Sequence, residues 1–116
     1  MKFKIVLIRF PFDDLKGGKL RPALCLTGRM TSFNHIIFAA ITSNLNNATE
    51  PTDIIIDLES SQIETGLKTT SVLKTHRLIT ANENIIEKVI GILPENYHAE
   101  VNKRLGLIFM LNKQTT

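Results

Sequence analysis

A chain of 116 residues has room for one globular unit, burying roughly two-thirds of the surface its unfolded form exposes, and none for two independent cores. With 43% hydrophobic and 22% charged residues it has the composition of a folded soluble protein, which excludes a disordered one. The net charge of +3 and pI of about 9.2 suit an anionic partner such as nucleic acid, an acidic polypeptide or a phosphate ligand, although many small domains carry this charge without one.

A single cysteine, Cys25, precludes an intramolecular disulfide, and its place in the apolar run from Pro22 to Leu26 reads as a small buried hydrophobe in a reducing compartment. At the N-terminus the apolar stretch Ile5-Val6-Leu7-Ile8 is too short for a secretory signal and is interrupted by Arg9. No segment approaches the ~20 apolar residues of a membrane span. A cytoplasmic protein without a membrane partner is expected, and residues 1–116 read as a single domain without repeats or linkers.

Along the chain, Phe3 to Phe10 is a strand candidate stopped by Pro11, which removes a ladder donor. Pro11 to Leu20, with Asp13-Asp14 and Gly17-Gly18, reads as a polar loop. Pro22 to Gly28 and His35 to Ser43 form a hairpin around a turn at Arg29 to Asn34. Asn44 to Thr52 is a second loop, and Asp53 to Leu58 returns to the sheet. Glu59 to Lys68 reads as loop, with Gly66 a turn position. Thr70 to Ile79 is a further strand, and Asn82-Glu83-Asn84 marks a break before Val89 to Leu93. After Pro94 the period changes: Val101, Leu105 and Ile108 recur at helical spacing, with Glu100, Asn102, Lys103 and Arg104 on other faces. Pro94-Glu95 suits the first turn of that helix. The expected architecture is a small β-barrel with a C-terminal α-helix, all-β or α+β in class.

Five segments in order resemble the MazF/PemK family of toxins from type II toxin–antitoxin systems. They are Ile5-Val6-Leu7-Ile8-Arg9-Phe10-Pro11-Phe12-Asp13-Asp14-Leu15, Lys19-Leu20-Arg21-Pro22-Ala23-Leu24, Ala39-Ala40-Ile41-Thr42-Ser43, Gly66-Leu67-Lys68 with Ser71-Val72-Leu73, and Ile90-Gly91-Ile92-Leu93. The resemblance implies an SH3-like barrel, usually a homodimer, that cuts single-stranded RNA without a metal or other cofactor, leaving a 2′,3′-cyclic phosphate and a 5′-hydroxyl. The family's catalytic arginine and threonine match Arg21 and Thr42. Its natural partner is an antitoxin whose acidic, partly disordered tail lies over the RNA groove, and DNA is met only through that complex. The chain departs from its relatives at Phe3-Lys4, where they commonly carry Gly-Asp, and at Lys74-Thr75-His76, where some carry Arg-x-Asp.

The residue types fit the implied chemistry. Attack by an internal 2′-hydroxyl builds negative charge on the phosphate, which a guanidinium bonding two phosphoryl oxygens stabilises most in the transition state. Arg21 precedes a proline, which restricts its backbone to extended conformations. The Thr42 hydroxyl can donate to a phosphoryl oxygen or orient the attacking group, and the adjacent Ser43 is a second hydroxyl should the register differ by one. Arginine holds its proton to a pKa above ~12 and is a poor base. The proton acceptor therefore stays open between Asp13, Asp14, His76 and a polarised water, while His76 equally reads as a solvent-facing strand residue. Lys16, Lys19, Lys68, Lys74 and Arg77 are candidate phosphate contacts or solvated surface charges. His35 and His98 lack the spacing of a metal site, and Phe10 and Phe12 read as core packing or base stacking. Two other readings use the same barrel: a CcdB-type toxin that binds DNA gyrase, which the absence of tryptophan disfavours, and a non-catalytic nucleic-acid-binding barrel.

Overall fold

The computed structural model describes residues 1–9 and 19–111, so Phe10, Phe12, Asp13, Asp14, Lys16 and Gly17-Gly18 lie outside the described residues. In chain order the elements are β1 (Lys4–Arg9), β2 (Leu20–Cys25), β3 (His35–Thr42), β4 (Asp53–Ile56), α1 (Leu58–Thr65), β5 (Ser71–Asn82), β6 (Ile86–Ile92) and α2 (His98–Ile108). The strands form one sheet in the order β4-β5-β3-β2-β1-β6, with every pairing antiparallel. The architecture is mostly β with a C-terminal helix, as the sequence pattern anticipates.

Because side chains alternate across a strand, the continuous apolar runs of β1 to β3 bury residues on both faces. Ile5, Leu24, Ala39, Ile41 and Leu73 share one face with Leu93 and with Val101 of α2. Val6, Ile8, Ala23, Cys25, Ile36 and Phe38 form a second cluster, covered by Met1, Ile79, Ile85 and Ile86. The amphipathic period read at Val101 and Leu105 is what docks α2 on the first core. His98, in the first turn of α2, stacks on Phe3 at 3.7 Å between ring centroids and its Nε2 bonds the Leu93 carbonyl oxygen at 2.9 Å. The helix is thereby tied to the chain's beginning.

β4 and β6 are the two edges of the sheet, and α1 spans between them, following β4 and packing on β6. At this seam backbone meets backbone. A Cβ on Gly66 would stand 2.1 Å from the Ile90 carbonyl oxygen, and one on Gly91 2.3 Å from the Thr65 carbonyl oxygen. Gly66 also has φ +71°, a conformation that side chains disfavour.

Several boundaries depart from the sequence reading: β2 begins at Leu20 and ends at Cys25 where the sequence pattern suggests Pro22 to Gly28, and β4 ends at Ile56 where it suggests Leu58. Residues 59–68 are not a loop: α1 runs from Leu58 to Thr65. Its sequence has no apolar stripe, but Asp57 Oδ1 accepts from Glu59 N at 3.1 Å and Thr70 Oγ1 from Leu58 N at 3.0 Å, satisfying amides of the first turn. β5 extends to Asn82 and β6 begins at Ile86, because Asn82 Oδ1 accepts from Asn84 N at 2.7 Å and compresses the break into one 3-10 turn. Pro94-Glu95 opens a 3-10 turn, Glu95–Tyr97, that leads into α2, not the first α-turn itself.

Gly66→Ala should lower unfolding free energy by about 3 kcal/mol, combining a left-handed Cβ penalty with a clash against a carbonyl. Gly28→Ala, with nothing within 4 Å of its new Cβ, should stay within about 0.5 kcal/mol. Urea titration of the two variants side by side reads the difference, and equal midpoints would remove the seam's importance.

Candidate nucleic-acid interface

The pairing of β2 with β3 runs from Cys25–Phe38 to Ala23–Ala40, and Arg21 and Thr42 each lie two residues beyond its end, at the same end of the two strands. On its other side Arg21 pairs with Ile8 of β1, and Thr42 pairs with Val72 of β5, so both sit in the middle of the sheet at one end of their strands. Pro22, locked in the ladder opposite Leu7, keeps the Arg21 backbone extended. Thr42 Oγ1 accepts from Asn44 N at 3.1 Å, which leaves its own proton to donate.

Arg21, Thr42 and Ser43 line a groove of about 780 Å³. Lys19 enters it from the start of β2, Lys68 from the segment after Gly66, and Lys88 from β6. Thr69 and Ser71 add hydroxyls, and Leu7, Pro22 and Ile41 form apolar wall. None of the residues lining the groove is Asp or Glu, so four cationic side chains share it without a carboxylate among the described residues. The structure thus brings together Arg21, Thr42, Ser43, Lys19 and Lys68. It adds Lys88, which the sequence reading did not single out.

Lys74 and His76 lie elsewhere, lining a second hollow with Thr49, Glu50, Pro51 and Thr52. Between Ala39 and Ala40 the register of β5 jumps from Leu78 to Lys74, so Thr75, His76 and Arg77 form a bulge. Lys74 Nζ donates to Asp53 Oδ2 at 2.9 Å with side-chain exposures of 11% and 3%, so this lysine is an internal ion-pair partner and not a groove cation. His76 is exposed, and its Nδ1 lies 2.8 Å from Thr52 Oγ1. Arg77 is exposed and is not among the groove residues. Cys25 is fully buried, and desolvation pushes its thiol up to about 11, with the N-terminal ammonium and Lys4 opposing in part. It is no nucleophile near neutral pH.

A six-stranded antiparallel sheet with a C-terminal helix, and a groove with four cationic residues in its lining at one end of the central strands, define the fold and the site. The sequence model described as "PemK-like, MazF-like toxin of type II toxin-antitoxin system" matches residues 1–109, and the chain belongs to that family. Among solved structures it resembles the Mycobacterium tuberculosis toxin MazF-mt6, with a TM-score of 0.70 and 20% identity over 91% of this chain and 95% of that one. It also resembles an endoribonuclease in complex with its cognate antitoxin from a mycobacterial species, with a TM-score of 0.70 and 13% identity over 96% of this chain and 95% of that one. The MazE-MazF complex of Deinococcus radiodurans gives a TM-score of 0.63 and 19% identity over 93% and 92%. No curated protein sequence matches the chain. Among the described residues no helix is long and apolar enough to cross a membrane.

Lys74→Met should cost about 3–5 kcal/mol, because it leaves Asp53 buried without its counter-charge. The double variant Lys74→Met with Asp53→Leu should recover most of that loss in a denaturation cycle. Additive losses would mean that the pair does not act as a unit.

Proposed function

We propose that the chain is a metal-independent endoribonuclease toxin that cuts single-stranded RNA in the groove shared by Arg21 and Thr42. The observation that carries this reading is that the guanidinium of Arg21 and the hydroxyl of Thr42 line one groove whose charged side chains are all cationic among the described residues. Such a lining suits the phosphodiester backbone of a nucleic acid.

In the proposed reaction the ribose 2′-oxygen attacks the adjacent phosphorus, its proton leaves, and the bond from phosphorus to the 5′-oxygen breaks. The products are a 2′,3′-cyclic phosphate and a 5′-hydroxyl. Arg21 bonds the phosphoryl oxygens as charge accumulates on them, and the Thr42 hydroxyl donates to one of them or orients the attacking oxygen. Lys19, Lys68 and Lys88 hold flanking phosphates as point charges. The departing 2′-proton goes to an acceptor beyond the described lining, either Asp13 or Asp14 in the segment leading into Lys19, or a groove water. His76 is not part of the groove lining and is assigned no proton-transfer role. The same positive groove would take the acidic segment of a cognate antitoxin, the kind of partner named for two of the structural neighbours. A homodimer is the assembly we expect.

Purified protein should cleave a long single-stranded RNA in EDTA, with 5′-hydroxyl ends at each cut. Arg21→Ala should lower the rate by at least about a hundredfold while leaving the thermal melt unchanged. Undiminished cutting by that variant, or cutting only with added metal, would overturn the mechanism. Lys88→Ala should flatten the dependence of RNA affinity on salt by about 0.7 in log–log slope, the share of one phosphate contact to a single strand. An unchanged slope would remove Lys88 from the RNA path.

A further inference from the structure

The second hollow, of about 540 Å³, lies outside the cleavage groove, and its walls are fixed from several sides. Glu50 N donates to Asp53 Oδ2 at 3.1 Å and Asp53 N donates back to Glu50 O at 3.0 Å, closing residues 50–53 into a turn. Thr75 Oγ1 donates to the Thr52 carbonyl oxygen at 2.6 Å, and Arg104 of α2 donates to that of Pro51. The ion pair of Asp53 with Lys74 lies beneath. His76, exposed on the β5 bulge, is held by Thr52 Oγ1 at 2.8 Å, so its ring is accessible yet oriented.

Two chemical features remain open to a ligand. One is the flat face of His76. The other is the Glu50 carboxylate, which among the described residues meets only the Thr49 hydroxyl at 3.4 Å, the limit of a hydrogen bond. A carboxylate accepts and never donates, and its two oxygens match a pair of neighbouring donors. Proteins read single-stranded RNA by stacking splayed bases on aromatic rings, histidine included, and bonding their Watson–Crick edges. On that edge only guanine presents two adjacent donors, N1–H and the N2 amino group. Adenine, cytosine and uracil each set an acceptor beside every donor, which a carboxylate repels.

The hollow is also within reach of RNA in the groove. Thr42, which lines the groove, pairs with Val72, and Lys74, which lines the hollow, stands two residues further along β5, a backbone step of about 7 Å. We propose that the hollow is a guanine-reading subsite, in which Glu50 bonds the Watson–Crick edge of a base flanking the cleaved bond and His76 stacks on its ring. The inference takes its substrate class from the nuclease reading.

The test uses the full chain and fluorescently labelled hexamers of 2′-O-methyluridine, which carry no attacking hydroxyl, with one position replaced by guanine, adenine or cytosine. By anisotropy the guanine hexamer should bind about tenfold more tightly than the others. Glu50→Gln, which presents one donor and one acceptor, should lose that preference and shift toward adenine. His76→Ala should weaken the guanine hexamer about tenfold and leave plain oligouridine unchanged. A wild-type protein that does not distinguish the bases, or a Glu50→Gln variant that keeps the guanine preference, would overturn the subsite. Unmodified hexamers in EDTA test cutting separately. Cutting without base preference removes the subsite and leaves the nuclease, whereas preference without cutting does the reverse.

Discussion

Where Gly66 lies against Ile90 and Gly91 against Thr65, two stretches of backbone approach more closely than any side chain would permit. β4 and β6 are the edges of a twisted sheet, and unpaired edges are a liability that proteins cover or close. This chain closes the gap by running α1 from one edge to the other and pressing the residues after it onto β6. The groove follows from that closure. Lys68, Thr69 and Ser71 arrive on the segment that leaves Gly66, Lys88 and Ile90 stand on the strand it touches, and Arg21 and Thr42 lie opposite on β2 and β3. Opening the seam would separate those two walls without disturbing either one internally.

Gathering Lys19, Arg21, Lys68 and Lys88 around one groove has an electrostatic cost, since like charges repel and the described lining residues include no Asp or Glu. The cost is limited because the three lysines are exposed and screened by solvent, whereas Arg21 is only half-exposed. That division matches the roles assigned to them. A mobile ammonium holds a phosphate as a point charge, but a partly desolvated guanidinium on a proline-restrained backbone presents paired donors in a fixed direction. Any polyanion that entered the groove would relieve this repulsion.

Much of the fold was legible because β1, β2 and β3 are apolar runs bounded by turn residues and α2 follows a helical period, and Arg21 and Thr42 could be placed because they lie in two of those strands. α1 was not, since its helicity comes from the oxygens of Asp57 and Thr70 and from docking on β6, and its residues carry no apolar stripe to reveal it. Lys88 was missed because its membership of the groove depends on the seam, a contact between residues distant in sequence. Lys74 illustrates the opposite error. Its neighbours Val72, Leu73 and Thr75 are all buried, and a lysine in such a run signals a buried partner more strongly than a phosphate contact. The acidic residue that opens β4, Asp53, was available to be that partner.

That ion pair also explains why the molecule carries charge where an apolar pair would serve stability as well. Replacing a buried ion pair by packed hydrophobic groups is often neutral or favourable, so stability alone is a weak reason for Lys74 and Asp53 to face each other. What an apolar pair cannot do is accept from Glu50 N, as Asp53 Oδ2 does while it binds Lys74. The carboxylate therefore couples two structures: the floor between β4 and β5, and the turn that carries Glu50 and Thr52. Thr52 in turn orients His76 on the bulge. The polar pair is best understood as a positioning device, holding an exposed loop in one conformation at the end of the sheet where the groove's own residues stand on the same strand.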